Sequence, residues 1–456
     1  MRENSGRAVG VLCWILSFAC TLTISLEPKP EPMKTGRNAP TDADTPADSP
    51  NPTVRLLTPT PARWTFPRPA PTLDPAAEPK GWIAFERGSV GGEGVYTVAA
   101  GVPLSGNIKY LFYRGTDPLW SPDGRWIAMD AYRMAPVSEY PAGLDSAGIV
   151  GTELLVDDIA AVDATGAGLR KFTAMGAGDR LWNFSWSPDG RWIAAVRSFT
   201  EFSPGEIRHS SPEVYAVKTD GSGTMVRIGE AAGVDCRIDW FPDGRLVFLD
   251  PAGSLRISSV DFPDQTRTER ASAPLPDCRS FDVSPDGDFL VFLEVDDAEY
   301  RIKAAYLAGR RTGEDLPEVL LYRGALENSE HFAAAAGDLT LSPDGTRMVY
   351  VLSEKGVATL MLYTAGSDAP IALDTLSDCS AVEADVAAQG QVACWSPDWR
   401  PGWSPDGQWI VYAAADGSDL NYGNIYIRNA AQAAAGSGVP FLQAGLGRSP
   451  DWQPFA

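Results

Sequence analysis

Trp120-Ser121-Pro122-Asp123-Gly124-Arg125-Trp126-Ile127-Ala128-Met129 is one instance of a phrase that the chain repeats. Its centre returns as Ser187-Pro188-Asp189-Gly190, Phe241-Pro242-Asp243-Gly244, Ser284-Pro285-Asp286-Gly287, Ser342-Pro343-Asp344-Gly345 and Ser404-Pro405-Asp406-Gly407. Pro presets φ for the second turn position, Asp suits the third, and Gly takes the left-handed conformation from which a hairpin resumes its twist. Apolar runs such as Trp192-Ile193-Ala194-Ala195 and Trp409-Ile410-Val411-Tyr412 follow the turns and read as strands.

Two further strands follow in each unit. Ile159 to Val162 leads through Asp163-Ala164-Thr165-Gly166 to Leu169–Phe172, and Val214 to Val217 leads through Asp220-Gly221 to Met225–Ile228. Each unit is therefore a meander of strands a, b, c and d, with the Pro-Asp-Gly turn between a and b. At the start, Trp82-Ile83-Ala84-Phe85 and Val95-Tyr96-Thr97-Val98 match strands b and c of a unit that lacks strand a. At the end, Ser449-Pro450-Asp451-Trp452-Gln453-Pro454 matches a strand a with nothing after it. Joining the two completes a unit, closes a ring and removes exposed sheet edges. The expected fold is an all-β propeller of seven four-stranded blades, closed by pairing of the C-terminal strand with the N-terminal unit; six blades is the alternative, if the divergent fourth or fifth unit merges with a neighbour.

The phrase Trp-Ser-Pro-Asp-Gly-x-Trp-Ile-Ala, the later Val/Ile-Tyr-x-Val, the turn Asp220-Gly221-Ser222-Gly223 and the terminal Asp451-Trp452-Gln453-Pro454 resemble the WD-type repeats of TolB-like β-propellers. The resemblance spans residues 81–456 and implies the fold, not a particular task. TolB has an α/β domain ahead of its propeller where this chain has a proline-rich stretch, so no role in the TolB–Pal system carries over. Similar repeats precede hydrolase domains in some peptidases, but no Gly-x-Ser-x-Gly elbow occurs here.

Of 456 residues, 38 are Lys or Arg and 59 are Asp or Glu, a net charge of −21. That field repels a phosphate backbone, so nucleic acid is excluded as a partner, and basic partners or bound cations are favoured. Only two histidines occur, His209 and His331, which leaves little for zinc or histidine-dependent catalysis. No cofactor and no metal is expected.

Arg2 and Arg7 precede an uncharged apolar run from Ala8 to Leu26, the composition of an export signal. Leu16-Ser17-Phe18-Ala19-Cys20 resembles a bacterial lipobox, with Cys20 the lipidated residue, although Ser17 replaces the usual leucine. The expected location is extracytoplasmic, as a membrane-anchored lipoprotein held through its N-terminal lipid. Plain signal cleavage, giving a secreted or periplasmic protein, and an uncleaved anchor are the alternatives. Residues 27–80 hold 14 prolines and few large apolar side chains, and they read as a disordered stem with polyproline character. The expected organisation is thus 1–26 signal or anchor, 27–80 stem and 81–456 propeller.

Four cysteines remain beyond the signal, and an even number in an exported chain favours disulfides. Cys236 and Cys278 occupy matching text, Asp235-Cys236-Arg237 and Asp277-Cys278-Arg279, so Cys236–Cys278 with Cys379–Cys394 is the preferred connectivity of three.

In an antiparallel meander the a–b and c–d turns emerge on one side of the disk, and the b–c and d–a connections on the other. The a–b and readable c–d turns are short, whereas Asp130–Asp158, Arg197–Glu213, Gly324–Asp338 and Asp374–Arg400 hold long b–c or d–a segments. Long loops on a rigid scaffold carry function, which puts the expected binding surface on that long-loop face.

Three residues before the Trp of each strand a, or its equivalent, stand Asp117, Asn183, Arg237, Ser280, Asp338, Arg400 and Ser449; two before it stand Pro118, Phe184, Ile238, Phe281, Leu339, Pro401 and Pro450. Period-two alternation sends the apolar set between blades and the polar set to the channel mouth, so Asp117, Asn183, Arg237, Asp338 and Arg400 are the candidate binding ring. The alternative is that they only cap strand ends. Trp82, Trp126, Trp192 and Trp409 recur at one strand-b position and read as inter-blade packing. Asp416 to Asn421 departs from the twelve-residue calcium loop and reads as an ordinary turn.

The expected function is a non-catalytic binding or scaffold protein that recognises a protein or peptide through the long-loop face and channel mouth. Two alternatives stay open: a propeller lyase or lactonase using His209 or His331 with loop carboxylates, and a carbohydrate-binding module using Tyr132, Tyr140 and Phe202.

Overall fold

The computed structural model describes residues 72–456 apart from 89–92, 102–107, 137–154, 204–205, 235, 262–266, 270–279, 297, 308–316, 328–333, 380–399, 417–418 and 455–456. The chain divides into two units, Met1–Pro61 and Ala62–Ala456, and the second carries the fold.

The second unit is an all-β propeller. Its described strands begin with β1 (Trp82–Arg87), β2 (Gly94–Ala99) and β3 (Lys109–Tyr113). The first separate blade is β4 (Gly115–Trp120), β5 (Trp126–Met134), β6 (Leu155–Asp163) and β7 (Leu169–Lys171). The second is β8 (Asp179–Trp186), β9 (Trp192–Ser203), β11 (Glu213–Lys218) and β12 (Met225–Glu230), with β10 (Glu206–His209) added beside the far end of β9. The third is β13 (Asp239–Trp240), β14 (Arg245–Leu249), β15 (Leu255–Ser259) and β16 (Arg267–Glu269), and the fourth is β17 (Phe281–Val283), β18 (Phe289–Val295), β19 (Glu299–Tyr306) and β20 (Glu318–Ala325). The fifth is β21 (Ala335–Leu341), β22 (Arg347–Glu354), β23 (Val357–Thr364) and β24 (Ile371–Asp378). Then come β25 (Gly402–Trp403), β26 (Trp409–Asp416), β27 (Asp419–Asn429), a helix α1 (Ala430–Ala434) and β28 (Phe441–Trp452).

Seven separate four-stranded blades, or six, are not what these sheets form. Five stand alone, and the remaining strands make one seven-stranded sheet ordered β25-β26-β27-β28-β1-β2-β3. The reason is β28, whose first half pairs with β27 (Ile427↔Phe441, Ile425↔Ala444) and whose second half pairs with β1 (Glu86↔Arg448, Ile83↔Trp452). No turn separates the halves, so the sheets fuse where the ring closes.

Strand b is apolar along its length because each of its faces is buried against a different neighbour. Ile127 and Met129 pack with Ala84 and Val95, while Ala128 packs with Ile193 and Ala195. Ala194 and Val196 then meet Leu246 and Phe248; Val247 and Leu249 meet Leu290 and Phe292; Val291 and Leu293 meet Met348 and Tyr350. Val349 and Val351 close the circuit with Ile410 to Ala414, Ile83 and Phe85. The core is thus a ring of apolar layers between sheets, not one central core.

The repeated turn has a repeated bond set. In the first blade Ser121 N donates to Trp126 O (2.8 Å), Trp126 N to Ser121 Oγ (3.0 Å), Ser121 Oγ to Asp123 Oδ1 (2.6 Å) and Arg125 N to the same oxygen (3.1 Å). Gly124 takes φ 64°, as the turn requires. Ser187/Asp189, Ser284/Asp286, Ser342/Asp344 and Ser404/Asp406 repeat the Ser Oγ to Asp Oδ1 bond, so these aspartates are consumed by the turn.

Two expectations about connections change. The b–c segment after Arg197 is not a loop, because β9 continues to Ser203 and folds back as β10, with His209 opposite Thr200. Long connections also occur on the short-turn side, between Ala99 and Lys109, Tyr306 and Glu318, and Asn429 and Phe441, so ornament is not confined to one face. The last of these holds α1, which binds residues placed with the stem. Asp74 N donates to Gln408 Oε1 (2.8 Å), Asn429 Nδ2 to Asp74 O (3.0 Å) and Gln432 Nε2 to Pro75 O (2.7 Å), while Leu73 packs on the core. No helix among the described residues is long and apolar enough to cross a membrane.

Closure places Glu86 on β1, 1% exposed, against Arg448 on β28 at 2.6 Å. Removing one partner of a buried ion pair costs about 3 kcal/mol or more. Arg448→Ala is expected to lower unfolding free energy by that amount in urea titration, and Glu86→Gln in the same chain should recover part of it. A loss no larger than that of an exposed arginine would show that the closure does not depend on this pair.

Candidate functional site

Strand a of each unit faces the axis of the ring, and there its alternation breaks. Asp117, Asn183, Asp338 and Ser449 have φ of 48°, 44°, 53° and 48°. Ladder register shifts between Thr116 and Leu119, Trp182 and Ser185, and Gly337 and Thr340 mark bulges at three of these sites. Asn and Asp tolerate left-handed φ better than other residues with a Cβ, which gives the polar position a backbone reason independent of any ligand.

The bulges also explain a departure from the expected two-faced pattern. Asp117, Asn183, Arg237, Asp338, Arg400 and Ser449 line one cavity of about 440 Å³, and so do Pro118, Phe184, Ile238, Pro401 and Pro450 from the apolar set. An extra residue in the strand turns both neighbours toward the axis. Phe281 and Leu339 of that set do not line it and are fully buried. The cavity therefore has a mixed wall, with charges above proline and aliphatic surface.

Its polar groups are tied together. Ser449 Oγ donates to Asp117 Oδ1 (2.9 Å), and Asn183 Nδ2 donates to Val234 O (3.2 Å). Arg237 donates to Asp282 Oδ1 (2.7 Å), Leu339 O (2.8 Å) and Asp239 Oδ2 (3.5 Å), so its side chain joins the third, fourth and fifth blades. Arg400 donates to Asn183 Oδ1 from a sheet that is not the second blade's neighbour, so this bond spans the channel.

Asp239, Asp282 and Asp451, one residue before the Trp position, also line the cavity and were not singled out from the sequence. Asp451 Oδ2 accepts from Trp120 N (2.7 Å), Asp282 Oδ2 from Leu341 N (2.6 Å) and Asp239 Oδ2 from Val283 N (3.4 Å), each in the next blade. At three other junctions the next blade's indole does the bonding: Trp186 Nε1 donates to Leu119 O (3.2 Å), Trp240 Nε1 to Ser185 O (3.0 Å) and Trp403 Nε1 to Thr340 O (3.2 Å). The signal was present in the text: where a unit offers Val283 or Leu341 in place of Trp, the preceding unit supplies an Asp.

Behind Asp117 lies a second set of acids. Asp130 on β5 and Asp157 on β6 stand diagonally across the ladder on one face, Asp157 is fully buried, and Arg180 bonds its Oδ2. Burial, then Asp157 and Asp117, push the Asp130 carboxyl well above the usual range.

Other sequence candidates lie elsewhere. His209 faces Thr200 Oγ1 at 3.2 Å on the β9–β10 arm, and Tyr132 donates to Glu93 Oε2. Trp409 is buried, whereas Trp82 is 38% exposed and Trp126 is covered by the Arg170 guanidinium at 3.9 Å. Cys236 and Cys379 are buried. Cys20, Cys278, Cys394, His331 and Tyr140 lie outside the described residues. Among the described residues no group of three or more His, Cys, Asp or Glu is arranged to hold a metal ion.

Burial pushes the Asp282 carboxyl up to about 8, against the opposing pull of Arg237, and pushes Asp451 up to about 7. A carboxyl with a raised pKa makes the folded state bind more protons than the unfolded one, so its contribution is complete below pH ~4 and is lost as pH rises through 7 to 8. The melting temperature is expected to fall between pH 5 and 9 for this reason. Asp451→Asn and Asp282→Asn should each flatten that decline in thermal melts, by roughly 1–3 kcal/mol across the window; a slope unchanged in both variants contradicts the assignment.

No protein-family description matches the chain, and no curated protein matches it. Solved structures with similar coordinates include TolB from Acinetobacter baumannii, at 16% identity and TM-score 0.42, covering 82% of this chain and 83% of that one. An oligogalacturonate lyase from Vibrio parahaemolyticus has 12% identity and TM-score 0.49, with 76% and 85% covered. A 6-phosphogluconolactonase-like protein from Bacteroides uniformis has 14% identity and TM-score 0.46, with 82% and 100% covered. Likenesses at this level carry no argument about activity, and the fold stands on the strand pairing itself.

Proposed function

We propose that this chain is a non-catalytic binding head, displayed outside the cytoplasm, that recognises a protein or peptide partner at the channel mouth and the long-loop face around it. The observation that supports this most is convergence: polar side chains from strand-a positions all around the ring line one cavity, with a mixed charged and apolar wall. A closed ring holds such side chains in place, and the exposed Arg400 is one that pairs with no carboxylate among the described residues. The net charge of −21 favours a basic partner at long range.

Around that head we place residues 1–26 as signal or anchor with Cys20 as the lipidated residue, and the proline-rich residues that follow as a stem. The seven-stranded sheet is taken as two blades sharing β28, which with the five separate blades gives seven units. The disulfides are taken as Cys236–Cys278 and Cys379–Cys394, and what supports this is the matching text around Cys236 and Cys278 and the burial of Cys236 and Cys379.

Among the described residues the cavity wall has no histidine, and His209 stands on the β9–β10 arm, which supports binding over histidine-dependent chemistry. The experiment is a pull-down from the native envelope. A partner captured by the intact chain should be lost when residues 137–154 are shortened, and retained when His209 and His331 are both replaced by alanine. Loss of a measurable lyase or lactonase activity in the double-histidine variant would overturn the reading.

A further inference from the structure

The two arginines of the channel differ in what surrounds them. Arg237 is held by Asp282 at 2.7 Å and by Asp239 at 3.5 Å, and a third N–H goes to Leu339 O, so its charge is answered within the fold. Arg400 lies on the same cavity wall but is exposed, and among the described residues no carboxylate pairs with it. Its hydrogen bond runs to the neutral Asn183 Oδ1. A guanidinium has five N–H donors in a planar fork, and this bond engages part of that fork.

Asn183 is itself a fixed acceptor. Its backbone is left-handed at φ 44°, and its amide nitrogen is anchored on Val234 O at 3.2 Å. The Arg400 side chain is therefore oriented before any ligand arrives, which lowers the ordering cost of binding. In a chain with 21 more acids than bases, a cation in the channel that has no acidic partner among the described residues is out of keeping with the rest of the wall.

From this geometry we infer that Arg400 is the anchor for a single carboxylate of the ligand, bound through the free edge of its guanidinium in the channel cavity. The inference rests on the cavity being the binding site. A planar carboxylate matches the fork bidentately. One guanidinium offers one positive charge, and Asp117 and Asp338 share the wall, so a phosphate dianion is opposed there more strongly than a singly charged carboxylate. The deeper Asp282 is paired with Arg237, and burial pushes the Asp451 carboxyl up to about 7, so these two oppose an incoming anion less than their number suggests. Asp117, half-buried, and Asp338, buried, leave a ligand that also carries an ammonium group an acidic side of the wall to face. That ligand satisfies both the acidic field at long range and Arg400 at short range.

The test uses the full chain and four probes in calorimetric or NMR titration: triglycine, triglycine amide, propionate and inorganic phosphate. Triglycine and propionate should both bind the unaltered chain, the amide about tenfold more weakly than the free acid, and phosphate more weakly than propionate. Arg400→Gln should weaken triglycine about tenfold with an unchanged melting temperature, and Arg400→Lys should retain part of the affinity. Asn183→Ala, which frees the fork, should cost less than Arg400→Gln. Equal binding of acid and amide, indifference to Arg400→Gln, no binding of either carboxylate, or tighter binding of phosphate would each overturn the inference. Binding of propionate without triglycine would assign the site to a free small carboxylate, and binding of triglycine alone to a peptide end. A partner still captured from the envelope by the Arg400→Gln chain would leave the binding head standing and remove only its carboxylate anchor.

Discussion

β28 is the constraint on which the channel depends. One strand runs unbroken from Phe441 to Trp452, and its two halves pair with β27 and with β1, more than three hundred residues apart in the chain. Without that pairing the apolar faces of β1 are exposed, because Ile83 and Phe85 pack toward Val349, Val351 and β26, while Ala84 packs toward the first blade. Every layer of the core is shared between two sheets, so a ring opened at one junction loses burial on both sides of it. Closure at a late strand also ties the fold to long-range pairing, which forms slowly compared with the local meanders.

Closure brings the strand-a segments close together around an axis, and backbone polar groups there need partners that no ladder provides. Two solutions serve around the wall: an aspartate reaching to the next blade's N–H, or an indole reaching back to the previous blade's carbonyl. The left-handed residues at Asp117, Asn183, Asp338 and Ser449 widen the strands and turn side chains inward. A cavity with a polar rim is thus a consequence of making a ring out of bulged strands, before any selection for a ligand. Function at this site has to be sought in what exceeds that requirement.

The meander and its closure were legible in the sequence because both rest on local chemistry: a turn that needs Pro, Asp and Gly, and apolar runs buried on two faces. Also legible was the axial register of Asp117, Asn183, Arg237, Asp338 and Arg400, since it is counted from a recurring Trp. What counting could not supply was conformation. Alternation assumes a regular pleat, and a bulge of one residue breaks it, so Pro118, Phe184 and Ile238 joined the wall instead of leaving it. The fused sheet was hidden for a related reason: the step from strand d to strand a normally needs a turn, and the Gly445–Gly447 stretch lets β28 pass straight through. Helix α1 is only five residues long, too short to give a helical period. Its role in holding Asp74 and Pro75 depends on amide side chains, Gln408, Asn429 and Gln432, that carry no pattern of their own.

The two arginines show how surplus is separated from necessity. Arg237 has a structural account that is complete: it neutralises Asp282 and Asp239, crosses three blades, and its loss would leave buried acids facing each other. Arg400 has no such account. It stabilises no buried carboxylate among the described residues, it is exposed, and the bond it makes to Asn183 orients it without answering its charge. Exposed charges elsewhere on the surface are solvated freely and need no explanation. This one stands on a concave wall of mixed charged and apolar surface, where water is a poorer solvent for it than at an open surface and a counter-charge is correspondingly more strongly held. A group whose orientation is fixed by the fold, and whose charge the described residues leave unanswered, is where a ring of this kind has recognition to offer.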